Sequence, residues 1–374
     1  MTTPSPEFDP DRLDDAAALE AGDPSGMLRA VASSARQVRE AFRASGEAGL
    51  PGLRGRPRAI VVAGMGGSGI AGDVLAAICG NGCPVPIATV RSHRLPGWVG
   101  AADLVFAVSC SGRTEETLAA ATEAVRRGAS LVAVGAAGSP LHDIAVQASA
   151  PFVAVEAAAG QPRATLWGLT IPLIVAAEAL GLAKVGPDGY EAAAKVLEDI
   201  AHRCRPGSES FINPGKTLAL ELAGTVPMIW GTSPLTATVA YRLACQLNEN
   251  AKYPAVHGEL PEAGHNQIVA LDGPLARRDV FADEESVRMR LVMVRDADEH
   301  PRVARRREVA VALAEERGVR VSEIAAEGLS PLERLATAVG LADYASVYLA
   351  LGYSLDPTPV SAIEELKAEI AREF

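Results

Sequence analysis

The sequence predicts an α/β protein of two halves, each a doubly wound parallel sheet covered by helices on both faces. Three observations carry this reading. Short β-branched apolar runs alternate with helical stretches along most of the chain, and such alternation gives parallel sheets with right-handed crossovers. The run Ile60-Val61-Val62 ends in a glycine cluster and passes into Ile70-Ala71-Gly72-Asp73-Val74-Leu75, which reads as strand, tight turn and helix. The length of 374 residues allows two domains, each with its own core.

Before the first strand, helices are expected over Asp11–Leu19 and over Met27–Ser45, where Ala32, Val38 and Phe42 share one face. Gly46–Arg58, rich in Gly, Pro and Arg, reads as a linker. The first α/β half then follows, with helix Ile70–Ala77, strands Pro86–Val90 and Leu104–Ser109, and helix Glu116–Arg127. Strand Ser130–Val134, helix Leu141–Gln147 and a short strand at Val153–Val155 complete it. Leu166–Leu182 is apolar but carries Gly168, Pro172 and Glu178, so it reads as a buried helix rather than a membrane span. Asp188–Arg203 is a linking helix.

The second half repeats the pattern with weaker motifs. Helix Asn213–Ala223 precedes strand Pro227–Trp230, helix Thr236–Asn250, a short strand at Pro254–Val256 and a loop at Gly258–His265. Ile268–Leu271 is a further brief apolar run. Strand Val287–Val294, helix Pro301–Arg317, strand Val319–Ile324 and helices Pro331–Leu351 and Pro359–Arg372 close the chain. The expected division is an N-terminal helical extension over 1–50, a first domain over 51–187 and a second over 205–374.

Composition narrows the function. A net charge of −11 and a pI near 5.2 argue against a general nucleic-acid or anionic-membrane binder. Aromatic residues make up only 4% against 48% apolar residues, so small side chains must build the core. Five scattered cysteines imply no disulfide framework and suit a reducing cytoplasm. Cys79-x-x-x-Cys83 is a poor zinc half-site, and the six histidines form no complementary cluster. The polar, acidic start MTTPSPEFDPDRLDD predicts no signal peptide.

The glycine turn is the first candidate site. Glycines let backbone N–H groups approach a ligand, and a helix N-terminus adds partial positive charge. Gly64-x-Gly66-x-x-Gly69 also matches the dinucleotide fingerprint. That reading wants a carboxylate after the second strand, about 20 residues on. Arg91-Ser92-His93 stands there instead, and Arg91 suits a 2′-phosphate. Ser68 inside the turn suits a single phosphate group, so a mononucleotide or sugar phosphate is preferred. The second candidate is Ser109-Cys110-Ser111-Gly112-Arg113-Thr114, at the carboxyl end of a strand. Its three hydroxyls suit phosphate oxygens, although Ser111 or Thr114 could instead cap the next helix.

These two stretches, GMGGSGIAGD and SCSGRTEETL, resemble the sugar isomerase (SIS) domain family, whose members bind phosphosugars. Further runs are similar in order and spacing to the bifunctional phosphoglucose/phosphomannose isomerases. They are Gln161-Pro-Arg163, Gln246-Leu-Asn-Glu249-Asn-Ala-Lys252, Glu259-Leu-Pro-Glu-Ala-Gly-His265-Asn266, Leu341–Ala350, Asp356-Pro-Thr-Pro359 and Ile363-Glu-Glu-Leu-Lys367. The likeness runs from about residue 59 to the C-terminus. It implies two SIS-type domains of flavodoxin-like, three-layer αβα form. It also implies a metal-free, cofactor-free aldose–ketose isomerase working through an enediolate on glucose 6-phosphate and mannose 6-phosphate.

The resemblance assigns roles to matching positions. Gly66, Gly67, Ser68, Ser109, Ser111 and Thr114 would hold the substrate phosphate. Glu249 would be the base between C2 and C1, and Arg163 would stabilise the enediolate. His265 would assist ring opening from across a homodimer interface, and Lys367 would contact the sugar hydroxyls or ring oxygen. The residue types suit these tasks, since one carboxylate can serve both carbons and a fixed cation can stabilise the oxyanion. Bland readings stand beside them: Glu249 as a solvated carboxylate, Lys367 paired with Glu364, and His257 as the rival histidine. Where the family usually reads Ser-Tyr-Ser-Gly-Asn-Thr, this chain has Cys110 and Arg113, which bear on substrate choice. It is also longer than compact members, at the N-terminus and around Ala276–Arg307. A catalytically silent phosphosugar sensor and an NADP-binding oxidoreductase are the competing functions.

Overall fold

The computed structural model describes residues 7–276 and 288–373. Helices α1 (Ala16–Gly22), α2 (Met27–Ala32) and α3 (Ser34–Glu47) come first. The first sheet region holds β1 (Ile60–Ala63), α4 (Gly66–Cys79), β2 (Ile87–Val90), β3 (Leu104–Ser109), α5 (Glu115–Arg126), β4 (Ser130–Gly135), α6 (Pro140–Gln147) and β5 (Phe152–Ala154). Helices α7 (Leu166–Ala179), α8 (Gly186–Arg203) and α9 (Pro214–Leu222) follow. The second holds β6 (Thr225–Gly231), α10 (Pro234–Asn250), β7 (Val256–Glu259), β8 (Arg288–Asp296), α11 (Pro301–Glu316) and β9 (Arg320–Ala326). Helices α12 (Pro331–Gly352) and α13 (Ser361–Glu373) close it.

Both sheets are wholly parallel, in the orders β2-β1-β3-β4-β5 and β7-β6-β8-β9. Each therefore has a doubly wound switch point, between β1 and β3 and between β6 and β8, where ligands of open α/β sheets bind.

Strand alternation explains how the halves join. Ile60, Val62, Phe106 and Val132 face one way, Val61, Val105 and Leu131 the other. The same holds for Ile229 and Val292 against Trp230 and Leu291. The inward faces of both sheets, with α3, α4, α7, α8, α10 and α12 between them, form one continuous core. The outer faces form two smaller cores under α5 and α6 and under α11. Helix α8, expected as a link, buries Tyr190, Ala193, Leu197 and Ile200 in the shared core. Helix α12 is long and apolar enough to cross a membrane, but 89% of that stretch is buried inside the protein.

Several local expectations change. The expected helix Asp11–Leu19 divides into a 3-10 turn, Asp11–Asp14, and α1, with Asp15 capping α1. The expected helix Met27–Ser45 divides at Ser33, where the Ser33 and Ser34 hydroxyls donate to Ala30 O and Val31 O, 2.7 Å each, competing with helical continuation. The glycine turn is the first turn of α4, which begins at Gly66 rather than Ile70. The sheet needs that compactness: a Cβ on Gly72 would stand 2.8 Å from Val62 Cβ. Ile268–Leu271 lies within a 3-10 turn, Gln267–Asp272. Part of the expected loop after residue 257 is β7. Val287 and residues 277–287 of the expected extension lie outside the described residues.

Candidate active site at the carboxyl ends of β1 and β3

Parallel pairing of β1 with β3 (Ile60 against Leu104, Ala63 against Ala107) brings their carboxyl ends side by side. The first turn of α4 and the loop 109–114 therefore meet. Ser68 Oγ accepts the Cys110 N–H at 3.3 Å and ties the two together. Within the loop, the Ser109 and Thr114 hydroxyls lie 2.9 Å apart, and Ser111 Oγ accepts the Arg113 N–H at 3.2 Å. Thr114 occupies the N-cap position of α5 but its side chain does not cap, and Met65 gives α4 no cap either. Both helices thus present first-turn N–H groups without a side-chain partner, which suits an anion.

Gly112 fixes this loop. Its φ is +64°, and a Cβ there would fall 2.0 Å from Ser139 Oγ. Gly112→Ala is therefore expected to lower the melting temperature, a combined effect of strain and overlap of about a few kcal/mol. Thermal denaturation checks it.

The equivalent place in the second sheet is closed. Ser233, after β6, caps α10 in a reciprocal box with Thr236. Its hydroxyl also donates to Asp296 Oδ2 at 2.6 Å, and Thr232 Oγ1 accepts Asp296 N–H at 2.9 Å. An internal carboxylate occupies the second half where the first half is open.

Arg163 stands against the open site. It lies in a 3-10 turn, Pro162–Ala164, and a Cβ on Gly67 would be 3.5 Å from its Cα. Its side chain is buried and fully engaged. Nε donates to Asn250 Oδ1 at 2.7 Å, Nη1 to Gln161 Oε1 at 2.7 Å, and Nη2 to the carbonyls of Pro357 and Thr358 at 2.9 and 2.7 Å. Nη1 also faces Glu249 Oε2 at 3.5 Å. Burial pushes the guanidinium pKa down, while Glu249 and Asp356 oppose that.

Glu249 lies in the last turn of α10, with its side chain 29% exposed and open to a ligand. A buried network fixes this end of the helix. Arg242 forks onto Asp343 of α12 at 2.9 and 2.7 Å and donates to Arg163 O at 2.8 Å. Gln246 donates to Asp343 at 2.9 Å, and Asn250 to Ser346 at 2.9 Å.

The fold thus brings together Gly66, Gly67, Ser68, Ser109, Ser111, Thr114, Arg163 and Glu249. It leaves two expected residues apart. His265 is exposed at the end of a 3-10 turn, Glu262–His265. Lys367 lies on α13, whose residues 361–370 are all exposed. Neither forms an ion pair or a side-chain hydrogen bond among the described residues, and the Lys367–Glu364 pair is not made. The rival His257 leans on Tyr241, ring centroids 4.9 Å apart, and desolvation lowers its pKa. Reasoning from sequence missed Gln161, Asn250 and Lys252 as supports of the site. Lys252 donates to Asn250 O at 3.1 Å and Asp356 O at 2.8 Å, and burial, then the Arg163 charge, push its pKa down. The signal available was their place in the QPR and QLNENAK runs. Among the described residues no group of three or more His, Cys, Asp or Glu could hold a metal ion.

The profile of the bacterial phospho-glucose isomerase C-terminal SIS domain matches residues 211–370. A bifunctional phosphoglucose/phosphomannose isomerase of Caldicellulosiruptor bescii is 35% identical over 312 residues, 83% of this chain and 89% of its own. One from Aquifex aeolicus is 33% identical, over 84% of this chain and 91% of its own. Among solved structures, a hypothetical protein of Thermus thermophilus superposes with a TM-score of 0.73 at 18% identity, covering 97% of this chain and 94% of its own. A glucose-6-phosphate isomerase like protein from the same organism gives 0.58 at 19%, covering 95% and 98%. The two structures speak for the fold. The sequence identities, sustained across most of both chains, carry the assignment: this chain belongs to the bifunctional phosphoglucose/phosphomannose isomerase family.

Proposed function

We propose that this protein interconverts glucose 6-phosphate and mannose 6-phosphate with fructose 6-phosphate, through an enediolate and without a metal. The observation that carries the reading is the junction of the open anion site with a half-open carboxylate. The turn 66–68 and loop 109–114 are tied at Ser68, and Gly67 packs against the Arg163 that faces Glu249. A phosphate held by Gly66, Gly67, Ser68, Ser109, Ser111 and Thr114 would leave the sugar carbons to reach toward Glu249.

Glu249 would take the C2 proton of the open-chain aldose and return it to C1, while a proton passes from the C2 hydroxyl to the C1 oxygen and the carbonyl moves from C1 to C2. The planar enediolate erases the configuration at C2, so two epimeric aldoses share one intermediate. Arg163 has all its nitrogens committed to protein acceptors, so its charge would act on the base and the oxyanion together rather than as a free ligand. Ring opening needs a proton donor and acceptor, roles for His265 of a second subunit and for Lys367. A homodimer with shared sites accounts for finding both on exposed elements. The reaction is redox-neutral and consumes no cofactor. The five free thiols suit a reducing cytoplasm.

The test is fructose 6-phosphate formation from each aldose in the presence of a chelator. Turnover of both is expected. Turnover of one alone would remove the dual assignment, loss of activity in the chelator would remove metal independence, and binding without turnover would favour a sensor.

A further inference from the structure

Arg91 takes no part in the contacts above, yet it lies between the two helices that one turnover must hold in register. It follows β2, beside the carboxyl end of β1. Its Nε is 3.1 Å from where a Cβ on Gly69 would stand, so it lies against the first turn of α4. Its Nη2 pairs with the carboxylate of Asp73, one turn further along α4. Thr89 Oγ1 orients that carboxylate from β2 at 2.8 Å. The guanidinium also sits over the ring of Tyr241 on α10, 5.4 Å from its centroid. Tyr241, Cys245 and Glu249 recur every four residues, one face of that helix.

One line of contact therefore runs from the phosphate turn through Gly69 and Arg91 to Tyr241, two turns from the carboxylate. Arg163 makes the other tie, at the opposite end. Arg91 is poorly placed to be a phosphate ligand, because Asp73 takes its charge and Tyr241 its face. Its surroundings also show why it is arginine. A planar guanidinium can pair with a carboxylate along its edge while its face lies over a ring, a geometry that a compact ammonium does not reproduce.

We propose that Arg91 is a positioning residue that sets the spacing between the phosphate-holding turn of α4 and the Glu249-bearing helix α10. The proposal rests on Glu249 being the base. Bound substrate spans both helices, and misplacement of reacting groups by about 1 Å can cost a hundredfold in rate. Arg91, Asp73 and Tyr241 line an open cleft of about 750 Å³. Shortening the side chain therefore meets solvent rather than leaving a hole in the core.

The experiment measures kcat, KM and competitive inhibition by inorganic phosphate for R91A, R91K, Y241A, Y241F and the double variant R91A/Y241A. R91A, R91K and Y241A are each expected to lower kcat by about tenfold or more, with phosphate inhibition within about twofold of the wild type. The double variant is expected to be no worse than the poorer single one, because both break one tie. Y241F keeps the ring and is expected to recover most of kcat. Three results would overturn the proposal: phosphate affinity falling as far as kcat, which makes Arg91 a ligand; full activity in R91K, which makes it a charge alone; or effects that multiply in the double variant. Wild-type turnover, measured first, decides the isomerase reading separately. If the wild type does not turn over, the claim that Arg91 serves catalysis falls with it.

Discussion

Glu249→Gln is expected to lower kcat by about three orders of magnitude, with KM changed by less than about threefold, since a general base contributes about 10²–10⁴ in rate. The substitution is nearly isosteric, so it removes the proton acceptor and little else. Arg163 keeps its four other acceptors when the charge at 3.5 Å is gone. The Glu249 side chain is part exposed and its ion pair to Arg163, at 3.5 Å, is longer than the hydrogen bonds that hold that guanidinium, so the melting temperature should fall by no more than about a few degrees. A second readout tests the role itself. Exchange of the substrate C2 proton with solvent deuterium should vanish together with turnover. If Glu249→Gln retains more than about a tenth of the activity, the base lies elsewhere. Glu249→Asp separates chemistry from reach: it keeps the carboxylate but withdraws it by one methylene, and a loss of up to about a hundredfold is expected.

The parts of this site that are local in sequence were legible from it. Strand β3 has the bounds its β-branched run predicts, Leu104–Ser109, and the hydroxyls after it stand at a strand's carboxyl end as parallel topology requires. The glycine cluster reads as a candidate site in a turn and not as helix, because helical preference scales penalise glycine. Here close packing of α4 on the sheet decides, as the 2.8 Å approach at Gly72 shows. What could not be read lies far apart along the chain. Arg163 is held by Asn250, 87 positions on, and by carbonyls 194 and 195 positions on. No periodicity or spacing encodes such contacts. The closing of the second switch point by Asp296, 63 positions beyond Ser233, is hidden for the same reason. So is the core shared by the two sheets, since alternation says which residues face inward but not that both inward faces meet. His265 and Lys367 are a different case. Only resemblance singled them out, and within one chain neither touches Glu249.

Arg163→Met should show the opposite pattern from Glu249→Gln, losing stability and activity together. Methionine fills much of the space but leaves Asn250 Oδ1, Gln161 Oε1 and the Pro357 and Thr358 carbonyls without their donor. Leaving a buried acceptor unsatisfied costs about 1–3 kcal/mol, and several are orphaned together, read as a lower denaturant midpoint. Arg163→Lys distinguishes charge from geometry. Lysine keeps the positive charge but cannot reach four acceptors in the plane of a fork, so it should fold better than Arg163→Met and still lose about a hundredfold or more in kcat. The reason lies at the far end of the side chain. The carbonyls it grips belong to the segment that leads into α13, and Lys252 grips Asp356 O beside them. Releasing Arg163 should therefore loosen the root of the helix that carries Lys367, and limited proteolysis between residues 356 and 361 should become faster in both variants. Wild-type kcat and an unchanged midpoint in Arg163→Lys would mean that charge alone matters here. The protection of 356–361 would then have to come from Lys252, which Lys252→Met tests by the same cleavage.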